Sequence, residues 1–334
     1  MPVLNEAGYL ESAVESVLAQ DYPGPTEVVL ALGPSTDGTN DIVARMQAVD
    51  PRIRSVENPL AHIPIGLNRA IRASAHPLIV RVDAHVELPA DYTRRAVATL
   101  LREGAANVGG IMHAVGRPGL QAAVAKAYNS RYGLGGGAYH SLDEPAGEAE
   151  SAYLGVMRAD ALADIGYFDE SLRRGEDWEL NHRMRQAGHL VWLDPSLRVA
   201  YWPRSTLAAL WRQMYATGIW RGELVRRLRL HNSPRYFAPP TLVVATGATV
   251  LLLPFAGGRL TALAAAGPLV YAGLLAGVAG RSEGSIRDRL RFGLVLATMH
   301  YAWGAGFLLG ILRGARDTVD TSRMAPAQPS QPSS

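Results

Sequence analysis

The stretch Leu78-Ile79-Val80-Arg81-Val82-Asp83-Ala84-His85 is an apolar run that ends on a carboxylate and an imidazole. A short apolar run of this kind reads as a strand, here Leu78 to Val82, buried on both faces of a parallel sheet. In open α/β sheets, ligands sit beyond the carboxyl ends of the strands. Asp83 at that place can hold a divalent cation against a diphosphate, because Mg²⁺ and Mn²⁺ take oxygen ligands and leave positions for phosphate. Taken alone, the triplet more often marks an aspartate that merely closes a turn.

Upstream of this stretch the patterns alternate. Leu10, Ala13, Val14, Val17 and Leu18 have helical spacing, and Glu27–Leu32 reads as a buried strand. Thr39–Val49 and Ile65–Ser74 read as helices, with a weaker strand over Arg52–Val56 between them. Downstream, Tyr92–Arg102 reads as another helix. This order predicts a mostly parallel, Rossmann-like sheet with helices on both faces. Residues 133–150, rich in Gly and acidic side chains, predict a mobile loop, and an α/β pattern resumes over 160–200.

Two further segments carry candidate chemistry. Ser35-Thr36-Asp37-Gly38-Thr39 follows the 27–32 strand as a tight turn into a helix, with small residues that let backbone approach a ligand. Gly175-Glu176-Asp177-Trp178-Glu179 places three carboxylates ahead of the helical run Leu180–Ala187. Acidic residues at a helix start are stabilised by the dipole whatever their function. Their functional reading is a general base that takes the proton of an attacking hydroxyl.

Composition narrows the classes. With no cysteine, disulfides, thiolate zinc sites and cysteine nucleophiles are excluded. Net charge is +3 and Lys126 is the one lysine. No coherent basic face with stacking aromatics speaks for nucleic acid. The arginines instead cluster between Arg212 and Arg235, ahead of three nearly charge-free stretches, Phe237–Gly257, Leu260–Gly280 and Phe292–Leu312. Each is close to the ~20 residues that span a bilayer. The expected organisation is a catalytic domain over 1–204, a basic amphipathic segment lying on the membrane over 205–235, about three spans over 236–313 and a disordered tail over 314–334. Arginines before the first stretch and between the second and third put the catalytic domain in the cytoplasm of a multi-pass inner-membrane protein. The opening Met1-Pro2-Val3-Leu4 has no basic, apolar leader, which agrees with that side.

Taken together, the segments resemble family 2 glycosyltransferases of the GT-A fold, over about residues 1–220. The resemblance is carried by Pro2-x-x-Asn5-Glu6, Leu18-Ala19-Gln20-Asp21-Tyr22-Pro23, Ser35-Thr36-Asp37-Gly38-Thr39, Asn68-Arg69-Ala70, Asp83-Ala84-His85, Gly166-x-Phe168-Asp169-Glu170, Gly175-Glu176-Asp177-Trp178-Glu179, Arg183 and Gly188, in that order. It implies an inverting enzyme of cell-surface or exopolysaccharide biosynthesis that uses a nucleotide sugar, with UDP as the expected nucleotide. The implied acceptor is a lipid-linked saccharide or polysaccharide. Asp177 would be the base and Glu176 would shape the acceptor side. Glu6, Asp37 and Asp83 would contact the nucleotide sugar, and Asp83 with His85 would hold Mn²⁺ or Mg²⁺. The sequence departs from the family pattern at Leu32, where an Asp often stands, at His85 in place of a second Asp, and in a first strand that is nearly missing and so expected to be truncated. The missing first strand and Leu32 motivate the alternative of a non-catalytic, nucleotide-sugar-binding membrane scaffold.

Overall fold

The computed structural model describes residues 1–134, 140, 144–228, 234–252 and 258–315. Most of the expected Gly-rich loop centre and the tail from residue 316 lie outside the described residues. The two residues left of the first strand still form β1 (Pro2–Val3), and from there the first half alternates as its periodicities predict: α1 (Leu10–Leu18), β2 (Val28–Leu32), α2 (Thr39–Val49), β3 (Ile53–Glu57), α3 (Ile63–Ala73), β4 (Leu78–Val80) and α4 (Tyr92–Glu103). β1, β2 and β3 form one parallel sheet, with Pro2 opposite Ala31 and Val28 opposite Ile53. Leu10, Val14, Leu30 and Val43 are fully buried against it, the apolar stripes of α1 and α2 closing on a strand apolar on both faces.

The second sheet corrects the expected parallel arrangement. It contains β4, β5 (Asn107–Ala114), β6 (Gly147–Glu148), β7 (Tyr153–Arg158) and β8 (Val191–Tyr201) in the order β4-β7-β5-β8-β6. β5 and β8 pair in parallel, whereas β7 runs antiparallel to β4 and β5, and β6 antiparallel to β8. Alternation of side chains has period two in either direction. Strand direction is set by the connections, so a run such as Tyr153–Arg158 says nothing about its sense.

Helices α5 (Leu120–Tyr128), α6 (Ala159–Asp164) and α7 (Glu176–Gln186) complete this part. α7 starts earlier than the periodicity suggested. Gly175 caps it at φ 78°, a left-handed conformation that costs a residue without Cβ little. Glu176 and Asp177 are therefore its first two helical residues.

The C-terminal part is α8 (Leu207–Leu228), a 3₁₀ turn (Pro234–Phe237), α9 (Ala238–Leu252), α10 (Gly258–Arg281) and α11 (Ile286–Arg313). Among the described residues one helix, α11, is long and apolar enough to cross a membrane, and 44 % of its most apolar window is buried inside the protein. Ser285 and Asp288 cap it reciprocally, each side chain accepting the other's backbone N–H. Because that box starts the helix at Ile286, Arg287, Arg289 and Arg291 lie on its first turns, not in the expected 281–291 loop. The expected interfacial segment forms α8, which packs along α11 with Leu210, Met214, Ile219, Trp220 and Leu224 buried. Trp202 and Trp211 remain exposed.

Candidate active site

A cleft of about 2610 Å³ runs from the carboxyl ends of β1, β2 and β4 to the apolar helices. Asn5, Glu6, Asp37, Asp83 and His85 line one end; Trp178, Arg221, Tyr236 and Trp303 line the other.

At the first end two loops clamp each other. The Asn5 N–H donates to Ser35 Oγ at 3.0 Å, and the Thr36 N–H donates to Asn5 Oδ1 at 2.8 Å. Thr39 is fully buried; its Oγ1 accepts the Glu6 N–H at 2.9 Å and donates to Asp37 Oδ1 at 2.5 Å. Asp37 Oδ2 accepts the Ala7 N–H at 3.1 Å. Partial burial works to raise the Asp37 pKa, but these hydrogen bonds outweigh it and hold the carboxyl below the ordinary aspartate value. Ser35, Asp37 and Thr39 thus fix the shape of the loop that presents Glu6. Glu6 Oε1 in turn lies 3.0 Å from His85 Nδ1.

The structure then joins two segments 95 residues apart in sequence. Arg81 is only 9 % exposed, and its Nη2 reaches Asp83 Oδ1 at 3.4 Å and Glu176 Oε1 at 3.2 Å. Its Nη1 is ion-paired with Asp177. Burial disfavours the charge on Arg81, yet the facing Asp83 and Glu176 outweigh that and raise its pKa above the ordinary arginine value. Asp83, Glu176 and Asp177 are thereby brought around one cation. Asp177 is the open member, with 47 % of its side chain exposed, while Glu176 is buried. Arg81 received no role from the sequence, although a lone charge inside the apolar run 78–82 was the available signal.

Several motif residues prove to be anchors of this geometry. Asn68 donates to Phe168 O at 2.9 Å and accepts the Phe168 N–H at 3.0 Å. Arg183 pairs with Glu179 and donates to Tyr167 O at 2.7 Å. The buried Asn107 donates to Asn181 Oδ1 at 2.6 Å, and Asn181 to Ser151 Oγ at 3.0 Å. These contacts tie α7 to β5 and to the turn before it, and so hold Asp177 in place. Trp178 stacks on His182 with centroids 5.5 Å apart and lies under the Arg221 guanidinium at 4.2 Å.

Among the described residues, no three His, Asp or Glu side chains gather in a way that could hold a metal by themselves. Asp83 and His85 offer one carboxylate and one imidazole beside the cleft. That donor set fits a cation completed by ligand oxygens, as Mg²⁺ and Mn²⁺ commonly are.

Residues 1–163 match the family model described as glycosyl transferase family 2. The chain is 32 % identical over 314 residues to the succinoglycan biosynthesis protein ExoA of Rhizobium meliloti (strain 1021), covering 92 % of both chains. It is 23 % identical over 236 residues to the dolichyl N-acetyl-alpha-D-glucosaminyl phosphate 3-beta-D-2,3-diacetamido-2,3-dideoxy-beta-D-glucuronosyltransferase of Methanococcus voltae, covering 68 % of this chain and 73 % of the relative. In fold it is similar to the mannosyltransferase PcManGT of Pyrobaculum calidifontis, solved with GDP-Man and Mn²⁺. That likeness has a TM-score of 0.62 at 20 % identity, over 93 % of this chain and 85 % of that one.

Proposed function

The chain belongs to glycosyltransferase family 2, and on that premise we propose that it is an inverting enzyme passing a sugar from a UDP-sugar to a lipid-linked saccharide or polysaccharide. It is a glycosyltransferase, which sets aside the non-catalytic scaffold; the donor, the acceptor and the stereochemistry are the proposal. The observation that carries it is the Arg81 bridge, which joins Asp83 of the cleft wall to Asp177, whose neighbours Gly175 and Trp178 line the same cleft.

In this reading Asp177 accepts the proton of the acceptor hydroxyl. The freed oxygen attacks the anomeric carbon as the bond to the diphosphate breaks on the opposite face, so configuration inverts in one displacement. Arg81 holds the Asp177 carboxylate by an ion pair beside Asp83. Glu176, buried beside it, shapes the acceptor side. Asp37 and Glu6 border the nucleotide, and Glu6 orients His85. Asp83 and His85 would hold Mn²⁺ or Mg²⁺, which when bound offsets charge on the departing diphosphate. The Mn²⁺ in the PcManGT complex supports that assignment. The acceptor of the Methanococcus relative, a dolichyl phosphate sugar by its name, supports a lipid-linked one here. We place the catalytic domain at 1–204, an interfacial segment at 205–235 and the membrane region at 236–313. The catalytic side faces the cytoplasm of a multi-pass inner-membrane protein, and α9 to α11 supply its spans.

The test is transfer by detergent-purified full-length protein with Mn²⁺ or Mg²⁺ and a panel of UDP-, GDP- and TDP-sugars. We expect cation-dependent release of one nucleoside diphosphate, lost with chelator and in Asp83→Ala. Asp177→Asn should retain nucleotide binding but lose transfer by about 10²–10⁴-fold. Equal turnover in Asp177→Asn would remove the base from this account.

A further inference from the structure

The far end of the cleft has a chemistry that donor binding does not use. Arg221, on α8, is 9 % exposed and held between two rings: Trp178 at 4.2 Å and Tyr236 at 3.8 Å. Trp178 follows Asp177 in the chain. Tyr236 stacks on Trp303 of α11 with centroids 6.2 Å apart, and Trp303 on Phe307 at 5.2 Å. A continuous row of ring contacts therefore leads from the proposed base to the helix long enough to cross a membrane. Arg174, Arg204 and Arg235 line the same end of the cleft. Arg174 Nη1 donates to Thr217 Oγ1 of α8 at 2.8 Å, and Arg235 Nη2 donates to the Tyr236 hydroxyl at 2.9 Å and lies 3.9 Å from Oε2 of Glu150, which also lines the cleft. Beyond them the wall becomes apolar, with Leu242 of α9, Leu274 of α10 and Met299 of α11.

We infer that Arg221, with Arg174, Arg204 and Arg235, forms the subsite for the phosphate or diphosphate that joins the acceptor saccharide to its lipid, with the lipid chain lying along Tyr236, Leu242 and Trp303. This rests on the proposal that the acceptor is lipid-linked. Charge complementarity argues for it. Four guanidiniums against two lining carboxylates, Glu144 and Glu150, leave an excess of positive charge that favours an anion, and arginine forks match phosphate oxygens. The apolar wall beside them suits a chain that water rejects. A neutral sugar would use neither feature. Aromatic faces on both sides of Arg221 hold its guanidinium in one plane, so little freedom is lost when an anion binds.

The probes are farnesyl diphosphate, farnesol and inorganic pyrophosphate. Their binding to full-length protein in detergent is measured with EDTA present, so that no cation-dependent diphosphate site competes. We expect farnesyl diphosphate to bind at least about tenfold tighter than either other probe, the size of one charge-assisted contact. Arg221→Gln should remove that margin, and the more open Arg235→Gln should reduce it even if the first variant folds poorly. Arg45→Gln, at a surface arginine that pairs with Glu11 at 3.8 Å, should leave it intact. Equal binding of farnesyl diphosphate and farnesol would overturn the phosphate subsite and leave a lipid-linked acceptor standing. Equal binding of farnesyl diphosphate and pyrophosphate would overturn the lipid path as well. Absence of any binding, in protein that still turns over nucleotide sugar, would sink the inference without touching the transferase reading.

Discussion

At the scale of single residues, Arg81 decides most. Three carboxylates face it, so removing its charge leaves them mutually repelling and one of them, Glu176, buried. Breaking a buried ion pair from one side costs about 3–5 kcal/mol. Arg81→Met should therefore lower the unfolding free energy by about that amount and abolish transfer; a variant as stable as the parent would show that the bridge contributes nothing. Thr39 makes a smaller claim. Its hydroxyl satisfies the partly buried Glu6 N–H, so Thr39→Val should cost about 1 kcal/mol and weaken donor binding, read by denaturant unfolding and by donor KM. Asp37 sets a pH dependence. Its folded pKa lies below the unfolded value, so its contribution is present above about pH 4 and lost as pH falls through the lowered folded value. Asp37→Asn should flatten that acid limb in thermal unfolding measured from pH 6 downward. The effect is small, because the side chain is largely solvated. The residues proposed to bear chemistry were legible in the sequence as carboxylates at strand and helix ends. Arg81 was given no role and Arg221 was read only as one of the basic residues ahead of the first span, because their contacts are with partners about 95 and 43 residues away.

At the scale of elements, the pair α8 and α11 stands out. Both carry glycines four residues apart on their contact faces, Gly218 and Gly222 on α8 and Gly306 and Gly310 on α11. A Cβ at Gly218 would lie 2.1 Å from Trp303 O, and one at Gly306 2.1 Å from Tyr215 O. At Gly222 and Gly310 the corresponding distances, to Phe307 O and Ile219 O, are 2.3 and 2.0 Å. The helices touch backbone to backbone, as small residues four apart permit. Gly306→Leu should push α11 off α8 and displace Trp303 from Tyr236. We expect lost transfer and a lower melting temperature. Gly273→Ala on α10, where a Cβ meets nothing within 4 Å, should be neutral or stabilising by up to about 1 kcal/mol. The sequence marked α11 as a candidate span and α8 as a basic amphipathic segment. It assigned them to separate regions, because spacing within each helix cannot say which other helix its glycines will meet.

At the scale of the whole molecule, catalytic and apolar parts share one cleft. Leu269, Val270 and Leu290 are two-thirds or more exposed, with Val250, Leu251 and Leu312, which is what a membrane-facing surface would show. Meanwhile Phe292, Val295, Leu296 and Met299 of α11 pack with α5, α8 and β5. Two consequences follow for handling. Full-length protein should sediment with membranes and need detergent for release. A fragment ending at residue 235 should aggregate instead of giving a soluble catalytic domain, because removing α11 uncovers the buried face of α8. A monodisperse, active 1–235 fragment in detergent-free buffer would show the two parts to be separable.

Sequence alone determined the α/β class, the element order from α1 through α4 and the family, and it singled out Asp37, Asp83 and Asp177 as candidates, because apolar periodicity and strand-end carboxylates are local signals. The direction of β7, the start of α7 at Glu176, the Arg81 bridge and the union of α8 with α11 were decided by tertiary structure. Each depends on which distant segments meet, and pairing, burial and charge across such contacts leave no periodic trace in the chain.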